Sequence, residues 1–170
     1  MNDAALFEAT VPPFLHYLRR IDVLLSDLPD SSTGLLERRL APRAFTAAEH
    51  FETASGFPLR TVLPLLGRDL PPPKENARDR ESLLRLAREV LSTLEGVTPA
   101  DFDGAARRTI RHTAGAAELE QDAVTFATVF ALPNFFFHLS TAFSILRHGG
   151  ENLGKADFDG LHAYAAGFHF

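Results

Sequence analysis

The run Ala131-Leu-Pro-Asn-Phe-Phe-Phe-His-Leu-Ser-Thr-Ala-Phe-Ser-Ile-Leu-Arg-His-Gly-Gly150 carries no formal charge before Arg147 and is bounded by helix signals. Asp122 stands where a helix cap would, Pro133 suits the start or a kink of the main segment, and Gly149–Gly150 suits its end. Arg147 and His148 place positive groups in the last turn, where they complement the helix dipole and can bond free carbonyls. With neighbours at three and four residues, Asn134, His138, Thr141 and Ile145 fall on nearly one face of such a helix. A polar stripe therefore runs along an otherwise aromatic segment.

Upstream, Arg107–His112 and Ala117–Gln121 flank Thr113-Ala-Gly115, which reads as a small β-hairpin before the last helix. Three further helical blocks precede it. Residues Pro13 to Leu28 place Phe14, Tyr17, Leu18, Ile21, Leu24, Leu25 and Leu28 on one stripe, with Thr10 and Pro12–Pro13 at the entrance and Pro29 at the exit. A second block, Leu35 to Leu66, keeps a helical step but is expected to break or bend at Pro42 and at Gly56–Pro58. The stretch Gly67–Lys74, with three consecutive prolines, reads as an extended connector. Ala77 to Leu94 forms the third block, apolar on one side and charged on the other. From Arg68 through Glu95 the basic and acidic residues number six each, the balance of a solvated face.

Composition narrows the function classes. The chain has 170 residues, 45% hydrophobic and 23% charged, which fits one domain spanning 1–170. It has no cysteine, so disulfides, thiolate nucleophiles and Cys-ligated metals are excluded. A net charge of −5 argues against nucleic acid as a partner. The absence of a basic, apolar leader in the first residues places the protein in the cytoplasm as an expectation. Ala123 to Leu146 is long enough to cross a membrane, but Pro133, Asn134, His138, Ser140 and Thr141 interrupt it, so no membrane span is expected. Aromatic usage is lopsided, 15 Phe against 2 Tyr and no Trp, and points to burial. No HExxH, G-x-S-x-G or GK[ST] pattern is present, which removes the commonest signatures of zinc proteases, serine hydrolases and P-loop proteins.

The combination of Leu132-Pro-Asn-Phe-Phe-Phe-His138, Ile145-Leu-Arg-His-Gly-Gly150 and Leu153-Gly-Lys-Ala-Asp-Phe158 resembles the hallmark of the DUF1993 family, in the DinB/YfiT-like superfamily of metalloenzyme-like proteins. The motif covers Leu132 to Phe158, and the helix–hairpin–helix order extends the likeness over nearly the whole chain. The resemblance implies a mainly α fold, an up-and-down four-helix bundle with a small β-hairpin before the last long helix. It also implies three metal-binding histidines in many superfamily members, one on the second helix and two four residues apart on a later one. Carried over by position, His138 matches one, Asn134 stands where the other would be, and His50 is the candidate third.

Two imidazoles and an amide make a poor site for zinc or nickel, so no cofactor is firmly implied beyond a divalent metal at His50 and His138 as the lesser expectation. A buried hydrogen-bonded Asn134–His138 pair that fixes helix register is the leading reading, and a small polar pocket of His50, Asn134, His138 and Thr141 the next. The functional expectation is a small-ligand-binding or homodimeric bundle with a degraded metal site. The alternative is a DinB-like metal- or thiol-dependent transferase or hydrolase. His162 and His169 have no standard ligand spacing, and Phe168 and Phe170 in the apolar tail suggest docking on the body or on a second subunit.

Overall fold

A computed structural model describes residues 1–72, 77–165 and 168. Four long helices form the up-and-down bundle: α1 (Asp3–Ser26), α2 (Ala47–Leu65), α3 (Arg80–Glu95) and α4 (Ala123–His148). A short helix, α5 (Lys155–Asp159), follows. The hairpin pairs β1 (Thr109–Ala114) with β2 (Ala117–Asp122), antiparallel, and delivers the chain into α4. Its turn has Gly115 at φ +62° and no positive φ at Ala116, the φ signature of a type II′ turn, which glycine adopts without steric cost.

The first helix begins ten residues before the expected Pro13 start. Asn2 caps it by accepting from the Ala5 amide at 2.8 Å, and Leu6, Thr10 and Val11 continue the buried stripe of Phe14, so Pro12 and Pro13 lie inside the helix. The Thr10 hydroxyl donates to the Leu6 carbonyl at 2.7 Å just ahead of the proline pair. Asp3 accepts from the amides of Ala106 at 2.7 Å and Gly104 at 2.9 Å. These two bonds, the Ala106 bond first, hold its carboxyl below the usual range and pin the segment before the hairpin to the base of α1.

The second block divides differently from the expectation. Residues Asp30–Glu37 form a 3-10 turn, and α2 starts after Pro42 but runs unbroken through Gly56 and Pro58. Packing outweighs the lost amide donor, because Ala54, Phe57, Pro58 and Thr61 are all buried against neighbouring helices. Its start is a capping box: the Glu49 amide donates to Thr46 Oγ1 at 3.2 Å and the Thr46 amide to Glu49 Oε2 at 2.7 Å. The third helix starts at Arg80, capped by Asp79, three residues later than expected. Pro73 and Lys74 of the expected connector lie outside the described residues.

The core is one contiguous cluster, in which Phe14, Phe51, Phe102 and Phe135 are among the largest fully buried side chains. Phe135 of α4 meets Phe14 of α1 edge-on at 5.1 Å, closing the bundle between its first and last helices. Helix α4 is long and apolar enough to cross a membrane by length and composition, but one side of it is packed into this core. Downstream, Arg20 donates to the Asp157 carbonyl at 2.6 Å and His16 bonds the Asp159 carbonyl at 2.7 Å, docking α5 on α1. Truncating Phe135 to alanine deletes the ring that joins α1 to α4, and urea denaturation of Phe135→Ala is expected to show a loss of about 3–5 kcal/mol.

Candidate functional site

The site grows from the start of α2. Phe45 precedes the Thr46 cap and His50 occupies the fourth helical position, so the two form the staple pair of a helix entrance, with ring centroids 5.6 Å apart. That contact fixes where the His50 ring points. It points at α4.

Helix α4 reaches His50 through an irregular turn. Phe126–Ala131 is a π-helical segment in which the Leu132 amide donates to the Ala127 carbonyl, and Pro133, which has no amide hydrogen, follows immediately. The Asn134 side-chain amide folds back one turn and donates to the Phe130 carbonyl at 2.7 Å. One turn further on, His138 Nδ1 lies 2.9 Å from His50 Nδ1. Phe57 stacks on His138 at 5.9 Å, and Phe137 flanks both imidazoles at 5.2 and 5.9 Å.

Of the four residues expected to share a pocket, the structure thus brings together His50 and His138. The Asn134–His138 hydrogen bond is not made, because Asn134 Nδ2 bonds its own helix beside Pro133. Thr141 likewise donates to the Phe137 carbonyl at 2.6 Å. The pair also sits off the bundle centre. His50 is 4% exposed, whereas Phe45 and Phe137, at 49% and 60%, form an open rim beside it. Phe137 lies largely in solvent. His169 and Phe170 fall outside the described residues, and Phe168 stacks on Tyr164 at 4.6 Å while remaining half exposed.

Electrostatics keep both rings neutral. Burial lowers the His50 pKa against the opposing charge of Glu49. Burial lowers that of His138 to about 4, helped by His50 and by the Arg60 guanidinium. A neutral pair sharing one proton between its Nδ1 atoms has two unlike Nε2 atoms. The ring that donates keeps a lone pair on Nε2, and the ring that accepts carries Nε2–H. Neither Nε2 has a protein partner among the described residues.

For a resident metal of the kind the family resemblance implies, the donor set is short. Zinc takes imidazole nitrogens at about 2.0–2.1 Å with their lone pairs converging on one point. Here the chain supplies two imidazole nitrogens, already at hydrogen-bond distance from each other, and in the third position only the weak amide oxygen of Asn134, whose Nδ2 donates to Phe130. Among the described residues no group of three or more His, Cys, Asp or Glu is gathered.

The fold and the pair define a class: a helical bundle of the DinB type with a histidine on its second long helix facing one on its last. The chain belongs to the DUF1993 family, whose model, described as a domain of unknown function, matches residues 6–159. It is similar to a DinB family member protein from Shewanella denitrificans, whose crystal structure superposes with a TM-score of 0.79 at 29% identity, covering 96% of this chain and 97% of that one. None of the curated proteins matches the sequence.

The depressed His138 pKa sets a pH dependence. Between its ordinary value of 6.5 and about 4, the unfolded chain binds a proton that the folded chain does not, so stability is full above 6.5 and declines as pH falls. Partial exposure of the ring reduces the nominal effect to about 1–2 kcal/mol. Denaturant midpoints measured from pH 7 to pH 4.5 should therefore fall more steeply for the parent chain than for His138→Gln, which has nothing to titrate.

Proposed function

We propose that this protein is a cytoplasmic small-ligand-binding bundle whose recognition element is the His50–His138 pair, with the ancestral metal position taken by a direct imidazole–imidazole hydrogen bond. The 2.9 Å Nδ1–Nδ1 contact carries the reading. It turns two identical side chains into one acceptor and one donor, held neutral under an aromatic rim. A neutral molecule with an adjacent donor and acceptor, such as a primary amide, complements that pair, and the apolar rim of Phe45 and Phe137 suits the ligand's carbon skeleton. The same donor and acceptor can hand a proton through the pair, which is the chemistry left to an enzymatic version of the site once metal and thiol routes are set aside.

A second reading is favoured by the uncharged outer face of α4. Val129 and Phe137 are 67% and 60% exposed, Ser140 and Ser144 extend the face, and Leu40 lies beside it at 57% exposure. A second copy of a chain with net charge −5 meets an apolar surface here, with Arg147 and Lys155 beside Ser140 and Ser144 and no acid among the described residues lining it, so a homodimer would form here, beside the rim. Sedimentation velocity should then show a dimer that Phe137→Glu dissociates.

Imidazole nitrogen NMR on untagged protein at pH 7 tests the pair directly. The expected spectrum has one Nδ1–H and one Nε2–H tautomer. Equimolar Zn²⁺ should leave both unchanged, whereas millimolar benzamide should shift both Nε2 resonances. Two Nε2–H tautomers whose Nδ1 signals both move on zinc addition would establish a metal site and overturn the proposal. So would benzamide that moves neither ring.

A further inference from the structure

Between α2, β1 and the π-helical turn of α4 lies a cavity of about 320 Å³ whose lining includes Phe57, Arg60, Arg111, His112, Phe126 and Phe130. It is separate from the histidine pair and adjoins it at the Phe57 ring, which stacks on His138, and at Arg60. Its chemistry is also different. The Arg60 guanidinium lies over Phe57 at 4.7 Å and makes no ion pair with a described residue. Arg111 adds a second guanidinium, already paired with Glu120 across the hairpin at 2.6 Å. No acidic side chain is among the described residues lining the cavity, so a chain of net charge −5 presents a locally positive mouth here.

The walls are aromatic. Phe126 and Phe130 lie nearly parallel with centroids 5.9 Å apart, and Phe130 is 6.1 Å from Phe57. His112 packs on Phe130 at 4.3 Å with its Nε2 2.9 Å from Gln121 Oε1. Its Nδ1 is buried without a partner, an acceptor that a buried site ordinarily satisfies. A guanidinium fork suits a carboxylate, and among the described residues no acid meets Arg60.

We propose that this cavity binds a small aromatic carboxylate, its ring against Phe57 and Phe130 and its carboxylate on the Arg60 guanidinium, with a hydroxyl or amino substituent matched to His112. The site stands independently of the histidine-pair reading. The volume accommodates one ring with its substituents, and exposed Arg60, without an ion pair among the described residues, gives up only its contact over Phe57 when it engages the ligand.

Calorimetry with benzoate on the full chain tests this. Benzoate is expected to bind, to weaken with added salt, and to lose at least about tenfold in affinity in Arg60→Gln, the loss typical of one charge-assisted contact. Arg60→Lys, which keeps the charge and loses the fork, should fall between the two. Benzamide, which lacks the charge, should not compete for this site. His138→Phe should leave benzoate binding intact, so failure of the histidine-pair reading and failure of this one are distinguishable. No benzoate binding at 10 mM, taken as roughly the weakest affinity a usable site of this kind would show, or unchanged affinity in a folded Arg60→Gln, would overturn the proposal.

Discussion

Helix α4 carries no charged side chain from Ala123 to Leu146, and that constraint organises the rest of the chain. A helix with such composition must be covered, and it is covered by two different means. On the inner side, Phe135, Leu139, Ala142 and Leu146 disappear completely into the core, where Phe135 meets Phe14 of α1. On the side toward α2, the covering is aromatic but contains two polar rings, His50 and His138, which remain compatible with burial because they satisfy each other. The outer face of α4 keeps Val129 and Phe137 in solvent. Charge is displaced to the other helices, as in the Arg88–Asp22 pair at 2.5 Å between α3 and α1 and the Arg80 guanidinium on the Leu28 carbonyl at 2.6 Å.

Prolines set the local geometry without dictating the element boundaries. Pro58 sits inside α2 because the residues around it are buried and their packing outweighs one missing amide. Pro133 has a different consequence. It follows directly on the π-helical turn, and the next residue, Asn134, turns its side chain back to donate to the Phe130 carbonyl. That bond ties the Asn134 amide nitrogen to its own helix.

Much of this was legible in the residues. Asp122 as a cap, the glycine-turned hairpin, Gly149–Gly150 as a stop and the bundle itself follow from local signals that act over a few residues. The start of α1 was hidden because Pro12–Pro13 is a good helix entrance in isolation, while Leu6 and Val11 reveal their burial only when α1 is packed. The Thr46-x-x-Glu49 capping box was readable and would have placed the start of α2, together with the Phe45–His50 staple, within a residue. For the site, sequence spacing put Asn134, His138 and Thr141 on one helix face but could not say which partner each would choose. Asn134 and Thr141 had carbonyls of their own helix within reach at i−4, and His138, with a longer and rigid ring, reached across to α2.

The neutrality of the pair follows from the same packing. Protonating either imidazole would place a cation in an aromatic enclosure beside a ring that has one lone pair to offer, and protonating both would set two cations at hydrogen-bond distance with Arg60 nearby. The hydrogen bond therefore holds only while one proton is shared between the two Nδ1 atoms. Phe57 ties this condition to the adjoining cavity, since one face of its ring supports His138 and Arg60 lies over it. Arg60 disfavours a charged His138 from outside while facing the cavity mouth, so a carboxylate that neutralises Arg60 would relax one of the influences keeping His138 uncharged. The histidine pair and the cavity differ in chemistry and adjoin at one ring and one guanidinium.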